Sequence, residues 1–491
     1  MWNQFESHVD KIFKSKSVFA LLEWDQRTYL PAGSAAQRAE QLAYMQTQVH
    51  ELITAPQFLE ILTKLENDSS LSETQKAAVR QEMRRSRLKS RVPADLVSRI
   101  STAQSQGFEA WKLARTKNDF KFFQKELETI VALKKELGEY LKEPGGTAYE
   151  GLVGEFEPEF PLPKIEALLS ALCKELAPLI AKIREKQASS PFERRSLSMP
   201  VPLQAELCQK ALDWMGFNFQ QGRLDQTVHP FCGGAGTDVR LTTKYIEADW
   251  RRSFFPAIHE GGHGLYAQGF EKFASHRSLK EATGFGMDES QSRFWENSIA
   301  RSRPFLSFLL KELSSDPKFK STVSGLDAET LYRQVNQVEP SYIRVEADEA
   351  TYNLHIMIRF EIESALFRGD LQVKDLPAVW NEKIQSYLGL RAPDDLNGIL
   401  QDVHWSMGAF GYFPSYTLGN MIAAQFNETI RSKLDIDSLV SKNELPKIRD
   451  WLHQNIHAHG SRYDTLELVR RTTGSELSHR SFITYLEKKF L

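Results

Sequence analysis

Apolar and polar residues follow the period of an α-helix along most of the chain. Within 35–150, apolar side chains recur at steps of three and four residues, as in "DFKFFQKELETIVALKKELGEYLK", which stops at the helix-breaking "EPGG". Ser72 and Gln75 have the spacing of a capping box ahead of strong helix formers. The same periodicity predicts further helices over 164–187, 203–216, 293–314, 349–368, 377–388 and 444–456.

One segment departs from this period. The stretch "TDVRLTTKYIEADW", residues 237–250, alternates and is rich in β-branched and aromatic residues, which predicts a strand. The proline-rich breaks over 155–163 and 189–202 are too short to be flexible interdomain linkers. We therefore predict a mainly α-helical chain that folds as one large unit over residues 1–491, with a small β-sheet near its middle.

The composition narrows the possible partners. The 491 residues are 41% hydrophobic and 26% charged, and the formal net charge of −2 creates no field that attracts nucleic acid or anionic membranes. The basic run over 82–91 lacks interleaved aromatic residues and is predicted to be a solvated helix face. Three cysteines without CxxC spacing favour a reducing compartment, and the chain shows neither a signal-peptide pattern nor a long apolar run. We expect a cytoplasmic protein without nucleic-acid or membrane partners.

The stretch "AIHEGGHGLYAQG" contains the first candidate chemistry. On a helix, His259 and His263 lie on one face, one turn apart, with Glu260 between them. Two neutral imidazoles bind Zn²⁺, and a carboxylate at this spacing is typical of the general base in metallopeptidases. Gly261 and Gly262 each disfavour a helix by about 1 kcal/mol. The motif alone is therefore also compatible with a glycine-rich loop, or with helix histidines beside a salt-bridging glutamate.

A catalytic zinc site needs a third protein ligand and an open fourth position. Glu289 lies downstream in "GFGMDESQSRFWENSIARS". The later part of this segment is predicted to be helical, and the segment could lie beside the helix that carries His259 and His263. The alternative explanation is a glutamate favoured by the dipole of a helix N-terminus.

These motifs form part of a longer ordered series. The blocks are "EWDQRTYLPAGSAAQRAEQ", "HPF", "DVRLTTKY", "HEGGH", "ESQSRFWEN", "IRVEADEATYNLHIMIRFEIE", "GILQDVHWS" and "GYFPSYTLGN". In this order the chain resembles the carboxypeptidase Taq-type metallocarboxypeptidases. The resemblance covers nearly the whole chain, and its catalytic motifs fall within 225–420.

The resemblance implies a mainly α-helical molecule with a long central groove and a small β-sheet beside the active site. It implies that His259, His263 and Glu289 hold one Zn²⁺ per chain, which Co²⁺ is able to replace, and that Glu260 acts as general base and acid. The chain departs from the family at Asp288, because the family commonly has histidine immediately before the ligand glutamate. This departure adds a negative charge near the expected metal.

Other residues of the shared blocks are candidates for stabilising the oxyanion of peptide hydrolysis. Tyr412 and Tyr416 in "GYFPSY" resemble tyrosines that have this role in related gluzincins, and His404 in "QDVHW" is a further possible donor. Each is also explained as a core aromatic residue or a hydrogen-bonded core histidine.

An exopeptidase must also bind a free α-carboxylate, which suits the bidentate guanidinium of arginine. Arg240 and Arg344 are the arginines of the shared blocks. Their alternative role is structural, for instance a pair between Arg344 and Asp348 if that stretch is helical. His229, before a proline, either contacts the substrate backbone or braces the sheet.

We therefore predict a zinc metallocarboxypeptidase that releases single C-terminal amino acids, with broad specificity, from peptides with a free C-terminal carboxylate. The family resemblance further implies a homodimer. Two alternatives remain from the sequence: a zinc oligoendopeptidase on a similar scaffold, and a non-catalytic helical binding protein.

Overall fold

The computed structural model describes residues 1–270 and 276–491, and α-helices dominate this part of the chain. The helices are α1 (Trp2–Thr28), α2 (Ala35–Thr54), α3 (Pro56–Glu66), α4 (Glu73–Arg91), α5 (Ala94–Lys117), α6 (Lys121–Leu141), α7 (Ala148–Phe156), α8 (Leu162–Ala188), α9 (Val201–Met215), α10 (Arg251–Gly269), α11 (Phe285–Arg293), α12 (Arg303–Ser315), α13 (Ala328–Val335), α14 (Tyr352–Arg368), α15 (Leu376–Leu388), α16 (Pro414–Arg431), α17 (Ile436–Ser441), α18 (Leu445–Asn455), α19 (Thr465–Thr473) and α20 (Arg480–Phe490). The predicted mainly α-helical fold is confirmed.

The helix boundaries follow local signals where these are strong. The capping box predicted at Ser72 and Gln75 is formed in both directions, with the Gln75 amide 3.3 Å from Ser72 Oγ and the Ser72 amide 2.9 Å from Gln75 Oε1. Helix α6 ends at Leu141, just before the predicted "EPGG" break. Hydrogen bonds at the first turn therefore decide where α4 begins, as the sequence pattern indicates.

The single helix predicted over 293–314 is wrong in its first part. Residues Phe294–Ala300 form a π-helical segment that continues from α11, and α12 is a separate helix. Ser302 caps α12 by accepting a hydrogen bond from the Phe305 amide at 3.3 Å, and a proline in the first turn favours a helix start there. Apolar periodicity does not distinguish a continuous helix from two that meet at a cap.

A three-stranded sheet precedes α10. Its strands are β1 (Gly222–Gln226), β2 (Cys232–Ala235) and β3 (Asp238–Thr243), in the order β1-β3-β2. Strand β3 is parallel to β1 and antiparallel to β2, so that β2 is an edge strand. The predicted small sheet is confirmed.

The strand predicted over 237–250 extends too far. Strand β3 ends at Thr243, and the following residues turn into α10, with a hydrogen bond of 3.0 Å from the Asp249 amide to the Ile246 carbonyl. The Thr243 hydroxyl donates to the Ser253 carbonyl at 2.8 Å. This bond holds the end of β3 against the first turn of α10.

Buried apolar side chains form a large cluster through most of the helices, and a smaller one among α1, α3 and α4 that includes Phe5, Phe58 and Leu62. The basic run over 82–91 lies on α4, but it is not a wholly solvated face. Arg85 is only 15% exposed and pairs with Glu82 and Glu281. The prediction failed because α4 packs against α2, α3 and α6, which cover part of the basic run.

Across residues 1–270 and 276–491, no helix combines the length and the apolar character needed to cross a membrane. The three cysteines, Cys173, Cys208 and Cys232, are free.

Candidate active site

The "HEGGH" motif lies inside α10, so the glycine-rich loop alternative is wrong. Its two glycines face neighbouring helices at very short range. A β-carbon on Gly261 would overlap Leu212 of α9, and one on Gly262 would lie 2.6 Å from Ser292 Cα of α11. Helix packing at these positions outweighs the low helix propensity of glycine. The absence of a side chain at Gly262 allows α11 to approach the helix that carries the two histidines.

Helix α11 brings Glu289 to His259 and His263. The Glu289 Oε2 atom lies 3.7 Å from His259 Nε2 and 3.6 Å from His263 Nε2, and one ligand atom from each residue falls within 4.8 Å of the others. Tetrahedral zinc, with bonds of about 2.0–2.2 Å, requires donor separations of about 3.4 Å. The donor types and their spacing therefore fit a zinc ion.

His259 is oriented by Glu296 of the π-helical segment. Its Nδ1 atom lies 2.9 Å from Glu296 Oε2, which leaves Nε2 directed toward Glu289. The other carboxylate oxygen of Glu296 accepts a hydrogen bond of 2.8 Å from Arg301. A carboxylate behind a histidine fixes the tautomer and orientation of a metal-ligating imidazole.

Glu289 is held in turn by Arg293, one helical turn further along α11. Arg293 Nε donates to Glu289 Oε1 at 2.6 Å, which leaves Oε2 for the two imidazoles. Burial would raise the pKa of Glu289, but Arg293 and the histidines outweigh it and hold the pKa at about 2. Glu289 is therefore ionised at neutral pH, as the predicted ligand role requires.

His263 has Asp288 beside its other ring nitrogen. Asp288 Oδ1 lies 3.0 Å from His263 Nδ1. Burial disfavours the charged imidazole, but the Asp288 carboxylate outweighs it and raises the pKa of His263 well above its ordinary value. Asp288 thus contacts a predicted ligand directly.

Glu260 is 7% exposed and lies on α10 between the two histidines. Burial raises its pKa, although the adjacent histidines oppose the shift. The charges of Glu260 and Asp288 add to burial in raising the pKa of Cys232 on strand β2. Strand β2 therefore lies beside Glu260, the predicted general base.

Helix α16 packs closely against Glu289. A β-carbon on Gly419 would lie 2.6 Å from Glu289 Cγ. Tyr416 lies three residues earlier on α16, on the same face of the helix. Its hydroxyl is 3.5 Å from His404 Nε2, and its ring centroid is 5.1 Å from that of Tyr412. The structure thus brings the three predicted oxyanion donors together near Glu289.

Burial sets the protonation of these three groups. It raises the pKa of both Tyr412 and Tyr416 far above neutrality, so that both hydroxyls keep their protons. Burial, assisted by the positive charge of Arg344, lowers the pKa of His404 to about 4. All three are neutral groups able to donate a hydrogen bond at neutral pH.

Arg344 is buried next to this cluster, and the pair with Asp348 that a helix would have allowed is not formed. The segment is a short 3₁₀ turn rather than an α-helix, and Arg344 pairs with Asp402 at 2.8 Å. Asp402 also pairs with Arg359, which is fully buried. Two guanidiniums thus share one carboxylate.

A chain of contacts connects Arg344 to the candidate metal centre. Arg344 Nη1 donates to the Tyr352 hydroxyl at 2.8 Å, and the Tyr352 ring lies 4.8 Å from the guanidinium of Arg293, which binds Glu289. The Tyr416 ring lies 5.2 Å from the Arg344 guanidinium. Three residue-to-residue contacts therefore connect this arginine to Glu289, a predicted metal ligand.

Arg240 and His229 are placed differently. Arg240 pairs with Asp238 at 2.8 Å and lies over the ring of Trp24. The side chain of the next residue, Leu241, faces Gly264 of α10, so Arg240 points away from that helix. His229 is exposed on the loop that leads to β2, and its role stays a prediction.

Sequence reasoning missed four residues of this network: Arg293, Glu296, Tyr352 and Asp402. A signal existed for the first two, because they follow Glu289 by four and seven residues and therefore share its face of the helix. Asp402 carries no comparable local signal, since its partner Arg344 is 58 residues away.

Two histidines on one helix, with a glutamate between them and a further glutamate facing them from a neighbouring helix, form an arrangement typical of metallopeptidases. Comparison with known proteins narrows this class. Residues 4–490 match the family described as carboxypeptidase Taq (M32) metallopeptidase. The chain belongs to this family and is accordingly a metallocarboxypeptidase, a hydrolase of peptide bonds.

Curated relatives and solved structures agree with this assignment. The chain is 35% identical to "Carboxypeptidase 1" of Bacillus subtilis, covering 99% of this chain and 97% of the relative. It is 37% identical to "Thermostable carboxypeptidase 1" of Thermus thermophilus, covering 96% and 95%. The M32 carboxypeptidase structure from Deinococcus radiodurans superposes with a TM-score of 0.95 at 32% identity, covering 100% of this chain and 98% of the other.

Proposed function

We propose that this chain is a zinc-dependent metallocarboxypeptidase that releases single amino acids from peptide C-termini with broad specificity. His259, His263 and Glu289 would hold one Zn²⁺, with Co²⁺ able to substitute. When bound, such an ion polarises the substrate carbonyl and lowers the pKa of a water molecule. The observation that favours a metal centre is that these three donors converge. Glu296 orients the His259 ring, and Arg293 orients the Glu289 carboxylate.

Glu260 is proposed as the proton-transfer group. It lies on the same helix as the two histidine ligands, and its burial raises its pKa toward that of a general base that works near neutral pH. Its carboxylate accepts a proton from the attacking water and returns it to the leaving amine. Burial also keeps bulk water away from the carboxylate during the transfer.

Tyr412, Tyr416 and His404 are proposed as donors to the oxyanion. The tyrosines keep their protons because of burial, and a neutral His404 has one N–H to donate. Fixed neutral donors stabilise a developing negative charge without reorganising during the reaction.

Arg344 is proposed as the residue that recognises the substrate α-carboxylate. Arg344 and Arg359 share the single carboxylate of Asp402, and an incoming carboxylate would be a second acceptor for these guanidiniums. The position of Arg344 beside Tyr416 favours it over Arg240, which faces away from α10. An anchor near the metal ligands restricts cleavage to the last peptide bond.

We also propose, on the family resemblance, that residues 1–491 form one catalytic unit with a long central groove, that the enzyme is a cytoplasmic homodimer, and that His229 contacts the substrate backbone. None of these proposals is needed for the chemistry of the metal centre.

A single experiment separates this function from its alternatives. The purified enzyme is incubated with paired peptides that differ only in a free or an amidated C-terminus, with and without a chelator, and the products are followed by mass spectrometry. We expect a ladder of products shortened by one residue at a time from the free acid alone, abolished by the chelator and restored by Zn²⁺ or Co²⁺. Internal cleavage of both peptides at equal rates would identify an oligoendopeptidase, and no cleavage with bound metal would favour a binding protein.

A further inference from the structure

The two histidines of the candidate metal centre are both approached by a carboxylate at Nδ1. For His259 this carboxylate is Glu296, at 2.9 Å, and for His263 it is Asp288, at 3.0 Å. We propose that Asp288 is a positioning residue for His263, which directs Nε2 toward the metal and strengthens metal binding. This inference rests on the metal centre of the proposed function.

The position of Asp288 follows from how α11 meets α10. Asp288 lies in the first turn of α11 and directly precedes Glu289. The absence of a side chain at Gly262 lets α11 approach closely enough for both acids to reach one imidazole. Glu289 Oε2 lies 3.6 Å from His263 Nε2, while Asp288 Oδ1 lies 3.0 Å from Nδ1. Asp288 and Glu289 thus lie near the two different ring nitrogens of His263.

The contact between Asp288 and His263 is close but imperfectly aligned. Among the described residues, no acceptor is in line with the His263 Nδ1 proton, even though Asp288 lies within hydrogen-bond distance. Asp288 is 40% exposed and has room to rotate, whereas His263 is 15% exposed and packed within the site. A buried donor without an aligned acceptor is unfavourable, so a small rotation of Asp288 that aligns the bond would be favoured.

The charge of Asp288 reinforces this role. A carboxylate at Nδ1 makes the opposite nitrogen a stronger ligand, and replacing such partners typically weakens metal binding about 10- to 100-fold. The carboxylate of Glu296 is neutralised in part by Arg301 and Arg293. Asp288 instead adds its negative charge at the exposed side of the site. Both orientation and charge therefore favour a bound divalent cation.

The test compares Asp288→Ala and Asp288→Asn with the wild type. The zinc-loaded enzymes are equilibrated with graded concentrations of a chelator of known affinity, and the zinc retained is measured by elemental analysis. Asp213→Asn is the matched control, because it removes an exposed aspartate from α9, which also packs against α10. Thermal unfolding of each metal-free variant verifies that the fold is intact.

We expect the dissociation constant for zinc to rise about 10- to 100-fold in Asp288→Ala. In Asp288→Asn it should rise less, because the amide oxygen still accepts the Nδ1 proton but carries no charge. Asp213→Asn should bind zinc like the wild type. A value for Asp288→Ala within twofold of the wild type, or equal values for Asp288→Ala and Asp288→Asn, would overturn the positioning role. A wild type that binds no zinc would instead overturn the proposed function, and this inference with it.

Discussion

The backbone of Ser292 in α11 lies against Gly262 of α10, so closely that a β-carbon on Gly262 would be 2.6 Å from Ser292 Cα. Real β-carbons do not approach another carbon at this distance. The contact brings the helix that carries Glu289 alongside the helix that carries His259 and His263. A glycine that disfavours α10 locally is therefore required for the geometry of the candidate metal centre.

The first prediction tests this packing. Gly262→Ala should lower the free energy of unfolding by about 1–3 kcal/mol, because the added methyl group overpacks the helix contact, and should also weaken zinc binding. The matched control is Gly154→Ala in α7, where nothing lies within 4 Å of the added carbon. That change should stabilise the protein by up to about 1 kcal/mol. Chemical denaturation measures both, and equal stabilities of the two variants would contradict the packing argument.

The second prediction separates the base from the ligand. Glu260→Gln should retain zinc while kcat falls by about 10²- to 10⁴-fold, because an amide does not accept the proton. Glu289→Ala should lose zinc, since only two protein ligands remain. Elemental analysis and peptide hydrolysis measure the two effects. Tightly bound zinc in Glu289→Ala would show that another group, such as Asp288, is the third ligand.

The third prediction concerns the carboxylate anchor. Arg344→Ala should lower kcat/KM for peptides with a free C-terminus by about 10- to 150-fold, corresponding to roughly 1.5–3 kcal/mol for a charged hydrogen bond, with little effect on amidated peptides. Arg344→Lys should restore part of the preference, since lysine supplies the charge without the bidentate geometry.

Arg240→Ala provides the comparison for this anchor. It should keep the preference for the free acid over the amide, because Arg240 lies against Trp24 and Asp238. If the preference narrows in Arg240→Ala and persists in Arg344→Ala, the anchor is Arg240. Circular dichroism verifies that the loss of the buried pair with Asp402 leaves the fold intact.

The fourth prediction concerns pH and stability. Glu157 is fully buried and accepts a hydrogen bond of 2.6 Å from the Gly286 amide in the first turn of α11. Burial raises its pKa to about 7, well above the value of 4.5 expected in the unfolded chain. The folded state therefore binds this proton more tightly, and the resulting stability is complete below pH 4.5 and is lost as the pH rises through 7.

Glu157→Gln should remove this dependence, which amounts to as much as about 3 kcal/mol over that pH range. The free energy of unfolding is measured at pH 5 and pH 8 for the wild type, for Glu157→Gln and for the exposed control Glu185→Gln. The difference between the two pH values should shrink in Glu157→Gln alone. An unchanged difference would mean that Glu157 keeps an ordinary pKa in the folded protein.

Short-range features of the protein are determined by the sequence itself. The spacing of His259, Glu260 and His263 decides that a helix presents two imidazoles on one face, and the pair Ser72 and Gln75 decides where α4 begins. Helix periodicity and capping depend on hydrogen bonds between residues only a few positions apart. A short stretch of sequence therefore contains all the interactions that produce these features.

The tertiary structure alone decided which distant residues meet. It paired Arg344 with Asp402 rather than the nearby Asp348, and turned Arg240 away from the histidine helix. It also placed Asp288 against His263 through the close contact of α10 with α11. Such contacts depend on the relative position of whole helices, which the packing of buried side chains sets, and no local pattern encodes them.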